Sequence, residues 1–189
     1  MTLLVAGLAL FLGTHLIPAV PPLREALAAR LGAGGFKGAF TLLSLAGLVL
    51  IVVGYRAAAP GDRLFSALPA AITVAPYAVT LSFVLLAAAN MRTHIRKTLR
   101  HPMLLGVIVW SAVHLCANGD TRGTVLFGAF LAWALVDLAS AVSRNAVKPF
   151  EPTAKQDAIA IVAGIVLAIV VMTFHLKLFG VAVVPPIAF

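Results

Sequence analysis

His101 and His114 flank the stretch of this chain richest in chemistry. It reads Arg100-His101-Pro102, then Leu104-Leu105-Gly106, Trp110, His114 and Asn118-Gly119-Asp120. Imidazole can ligate a metal or take up a proton near neutral pH. Gly106, Trp110 and His114 recur at i, i+4, i+8 and share one stripe of a helix. A small residue, an aromatic and an imidazole on one stripe could receive a flat apolar ligand. The same stripe could be plain helix packing, with glycine admitting a neighbour and tryptophan near an interface. His101 precedes a proline, which biases it out of helical geometry and makes it the N-cap. His114 lies about 18 Å deeper and points to a different face, so the two do not hold one ion together.

Other ionisable groups sit among apolar residues. His15 lies late in the first apolar run, before Pro18, and His175 late in the last, two residues before Lys177. An imidazole at membrane depth needs a hydrogen-bond partner or a metal. His175 with Lys177 could instead mark an interface. His94 falls in a basic loop and is expected to be solvated. Asp137 is the only acid well inside a span, with Arg100, His101 or His15 as expected partners, and Tyr77 is a weaker polar handle. Cys116 is the only cysteine, which excludes an intramolecular disulfide and any multi-cysteine metal site. Paired intramembrane carboxylates, a phosphate-binding glycine loop, Gly-x-Ser-x-Gly and His-Glu-x-x-His are all missing. What remains is imidazole chemistry, and two neutral imidazoles from different helices of an apolar bundle are what haem b ligation requires.

These residues must be positioned by transmembrane helices. The 189 residues are 62% hydrophobic and 11% charged, with a mean hydropathy of +1.08. The expected fold is therefore all-α, a polytopic transmembrane helical bundle forming a single domain over residues 1–189. Six spans are expected: Thr2–Val20, Phe36–Tyr55, Leu68–Ala89, Pro102–Ala117, Gly123–Ser143 and Ala158–Val184. The first run has no basic leader and no cleavage signal, so it reads as a retained helix. Pro21-Pro22 is expected to stop the first span. Leu23, Leu27 and Leu31 then share one face of a short surface helix that ends at Gly32, Gly34 and Gly35.

Ten Lys and Arg fall in the first, third and fifth loops (Arg24, Arg30, Lys37, Arg92, Arg96, Lys97, Arg100, Arg144, Lys148, Lys155). Only Arg56, Arg63 and Arg122 fall in the second and fourth. The odd loops are thus expected on the cytoplasmic side, with both termini periplasmic in a Gram-negative host. The net charge of +8 fits topology and anionic lipid better than nucleic acid, which is not an expected partner.

The string from Arg100 to Asp120, with Gly7 through His15 to Pro22-Leu23-Arg24, resembles the NnrU family across essentially the whole chain. That resemblance implies a multi-pass protein of the bacterial inner membrane, associated with denitrification and linked to expression of nitrite and nitric oxide reductases. The family is similar to the plant 15-cis-zeta-carotene isomerases, membrane enzymes with haem b. By that similarity His15 and His114 fall on the metal-ligand positions, with His101, Trp110 and Gly106 completing the candidate cofactor-binding set. The isomerases carry a cysteine after the tryptophan; here the position is Ser111, so ligand exchange at that site is not implied. His15 with His101, and His114 with His175, stay open as pairings, because His15 reads nearer the cytoplasmic face than His114.

Three readings follow: a haem-b-binding protein of nitrogen-oxide metabolism or a related isomerase-like redox role; an S-adenosylmethionine-dependent methyltransferase of the isoprenylcysteine carboxyl type, suggested by Arg-His-Pro opening a helix; and a non-catalytic assembly factor for a reductase. The lipid bilayer is a partner in each, and a hydrophobic small molecule, a respiratory reductase or a second copy of the chain are expected candidates.

Overall fold

The computed structural model describes residues 1–147 and 149–183. The described residues form α-helices and no strand: α1 (Thr2–Leu16), α2 (Pro21–Ala57), α3 (Pro69–Ala89), α4 (His94–Leu99), α5 (Pro102–Asn118), α6 (Thr121–Ser143) and α7 (Ala154–Phe179), with a 3₁₀ turn at Ile17–Ala19. Five of these helices are long and apolar enough to cross a membrane, and α5 is a shorter apolar helix of 17 residues. Two compact units are present, Met1–Gly61 and Asp62–Phe189.

In the first unit α1 packs along α2. The contact depends on missing side chains. A Cβ on Gly7 would stand 2.6 Å from the Ile51 amide nitrogen, and one on Gly47 would stand 2.8 Å from that of Phe11. Close backbone approach of this kind drives helix association where lipid removes the hydrophobic driving force. Pro21 and Pro22 open α2 rather than merely stopping α1, because proline is tolerated where a helix N–H would have no partner. The break itself falls at Val20 (φ −115°, ψ 87°). Gly32 then interrupts α2 with φ 71° and ψ 160°, where a side chain would be strained. The piece before it leaves Leu23 and Leu31 about half exposed.

In the second unit α3 is central: α5 and α7 both pack on it, and α6 packs on α5. Both neighbours run antiparallel to α3. Leu68 donates to the Cys116 carbonyl at one end of the α3–α5 pair, while Ser82 Oγ donates to the Gly106 carbonyl further along, at 2.5 Å. On the other flank Gly164 packs against the Val84 backbone. Beyond that contact Thr153 donates to the Arg92 carbonyl. Ala160, Gly164 and Ala168 form the buried stripe of α7. Val162, Val166 and Ile169 on its other faces are more than half exposed, which is the pattern of a lipid-facing surface. The last helix ends at Phe179, short of the expected Val184, because Gly180 takes the left-handed conformation (φ 74°); Val184 and Lys148 lie outside the described residues.

Candidate functional site

The Arg-His-Pro corner is built by backbone strain. Arg100 has φ 64° and ψ −46°, and His101 N donates to the Leu99 carbonyl at 2.7 Å. This is a γ-turn of the rare positive-φ kind. Asn145, the other non-glycine residue with positive φ among the described residues, accepts a hydrogen bond from the Arg100 guanidinium. His101 caps α5 as expected, and its side chain makes no cap hydrogen bond. Its partial burial, then the Arg100 charge, push its pKa below the ordinary 6.5, while Asp137 pulls the other way and Arg144 adds to the lowering. Asp137 therefore belongs to the surroundings of His101, one of the partners expected for it.

At the far end of α5, Asn118-Gly119-Asp120 is a turn with each residue in a distinct role. Asn118 donates to the His114 carbonyl at 2.6 Å. Gly119 sits at φ 80° with its α-carbon against the Phe65 carbonyl, and its own carbonyl accepts from Leu64 at 2.8 Å. Asp120 caps α6 by accepting from Gly123 N at 2.6 Å. The motif fixes the end of the helix that carries His114.

His114 lies in an aromatic cluster. Its ring stacks on Phe127 at 4.7 Å and meets Trp110 at 5.4 Å. Trp110 is edge-on to Phe127 and Phe130 of α6. His114 Nδ1 lies 2.8 Å from the Trp110 carbonyl oxygen. A carbonyl can only accept, so Nδ1 donates, and the neutral ring then carries its electron pair on Nε2. Gly106 belongs to another contact. A Cβ there would meet the Ser82 carbonyl at 3.0 Å and Leu85 at 3.3 Å, so its side of the stripe is filled by α3, not left for a ligand. Ser111 is fully buried and donates to the Val107 carbonyl of its own helix at 2.6 Å.

His15 repeats the arrangement in the first unit: Nδ1 donates to the Phe11 carbonyl at 2.8 Å, the ring stacks on Phe11 at 4.2 Å, and Phe40 lies edge-on at 5.2 Å. Nearby, Pro18, Phe36, Lys37, Phe40 and Thr41 line an open groove of about 350 Å³. The shared pattern, an aromatic four residues before a histidine whose N–H it receives, is present in the sequence but carries no known signature. His175 is held differently. Gly180 turns the chain back, so the Val181 carbonyl accepts from His175 Nδ1 at 2.6 Å, and Phe179 lies edge-on at 4.9 Å.

His94 is mostly exposed, in keeping with its basic loop, but it is not simply solvated. Its backbone N donates to Asp157 at 2.8 Å, and its ring contacts the other carboxylate oxygen at 2.5 Å. Arg92 N donates to the Gln156 side chain beside it. Sequence reasoning did not find this clasp, because no local spacing links residues 92–94 to 156–157. Cys116 is half-buried. No group of three or more His, Cys, Asp or Glu able to hold a metal ion occurs among the described residues.

Fold and composition thus define an all-α polytopic membrane protein with imidazoles seated inside its helices. Residues 3–183 match the family model described as NnrU protein, nearly the whole chain, and the chain belongs to that family. No match was found among curated proteins or solved structures.

Proposed function

We propose that this NnrU-type membrane protein binds haem b through His114 and serves nitrogen-oxide metabolism in the bacterial inner membrane, with both termini periplasmic. The observation that carries the reading is the lock on the His114 ring. Metal-ligating histidines characteristically donate their second nitrogen to a carbonyl or carboxylate, which fixes the tautomer and orients the ligating nitrogen. The Trp110 carbonyl does this here, and Phe127 and Trp110 hold the ring plane. The donor set also suits a porphyrin better than a bare ion: the described residues offer no three-ligand cluster, whereas a porphyrin iron needs only axial ligands from protein. When bound, haem supplies one-electron chemistry or binding of a small gas; His114 anchors it, and the aromatic cluster keeps water from the ring.

The test is an absorption spectrum of the full chain purified from haem-replete cells. A Soret band at a fixed haem-to-protein ratio, weakened severalfold in His114→Ala and kept in His101→Gln, supports the reading. A colourless wild-type preparation that does not take up added hemin overturns it.

A further inference from the structure

The family resemblance assigns His15 as the second ligand, but the register of the second unit brings another imidazole to the level of His114. Ser82 meets Gly106 and Val84 meets Gly164, each across an antiparallel pair. Counted residue for residue from those contacts, His114 stands level with Val74 of α3, and His175 stands level with Thr73. One residue of helix is about 1.5 Å of rise, so the two histidines share a depth on helices that both pack on α3.

Both rings present the same nitrogen. Each Nδ1 donates to a backbone carbonyl, Trp110 for His114 and Val181 for His175, so each neutral ring has its electron pair on Nε2. The Val181 carbonyl reaches His175 only because Gly180 adopts φ 74°, a local device that orients this one ring. Each ring also has an aromatic neighbour, Phe179 edge-on to His175 and Phe127 stacked on His114.

We infer that His175 is the second axial ligand, so that a bis-histidine haem site lies wholly within residues 62–183. This rests on the haem reading above. The test compares the ferric full-length protein with its His175→Ala, His175→Met and His15→Ala variants by absorption and electron paramagnetic resonance. Expected are a six-coordinate low-spin wild type, conversion to high spin in His175→Ala, a low-spin spectrum with a raised reduction potential in His175→Met, and an unchanged low-spin spectrum in His15→Ala. The methionine variant keeps an apolar ligating side chain and reads the same position if the alanine variant does not fold. High spin in His15→Ala with unaltered His175 variants overturns the inference while leaving haem binding intact. Absence of haem from the wild type overturns both.

Discussion

At the residue scale, what distinguishes the histidines of this chain is the partner of Nδ1. His15, His114 and His175 each give that proton to a backbone carbonyl, whereas His94 meets a carboxylate. His101 has neither kind of partner given by its own cap. Its burial and the Arg100 charge favour the neutral ring. A histidine whose folded value lies below the ordinary 6.5 binds its proton more weakly folded than unfolded. Its contribution is therefore present above about pH 6.5 and is lost as pH falls through the lowered folded value. We expect the thermal midpoint of the detergent-solubilised protein to fall as pH is lowered from 7 toward 5, and His101→Gln to flatten part of that slope. An identical slope in the variant would show that other groups carry the dependence. The sequence disclosed these histidines but not their tautomers, since a tautomer is set by which carbonyl lies within reach after the helix has formed.

At the element scale, glycine separates positions that packing fills from positions that it leaves open. A Cβ on Gly164 would stand 2.5 Å from Val84 Cα, whereas one on Gly128 meets nothing within 4 Å. Gly164→Ala should therefore cost about 1–3 kcal/mol through overpacking at the α3–α7 contact. Gly128→Ala should be neutral or stabilise α6 by up to about 1 kcal/mol, since glycine is the poorer helix former. Unfolding in a mixed-detergent titration checks both. The helices themselves were largely legible. Pro102 and Asn118-Gly119 marked α5, and the leucine spacing and Gly32 marked the segment before the second span. The pairing of helices was not: every span is nearly uniformly apolar, so periodicity does not say which face meets protein and which meets lipid. The assignment of Gly106 to the α3 contact, and of Trp110 to the α6 cluster, emerged only from three dimensions.

At the scale of the whole molecule, five described helices are long and apolar enough to cross a membrane; with the shorter α5 crossing as well the expected number is even, and the basic residues are concentrated in alternate loops. Reporter fusions at the N- and C-termini should thus score on the same side, opposite to a reporter placed in the loop after α3. Opposite scores for the two termini would mean that one helix, with the short α5 the first suspect, does not cross. The chemistry of the interior is directional as well. His114 and His175 turn their N–H groups back into their own backbone, so what they offer to a visitor is an electron pair. Nitrite and other oxyanions need hydrogen-bond donors, and they would meet none at these two rings. In that tautomer the two rings are matched to an electrophile rather than to an anion.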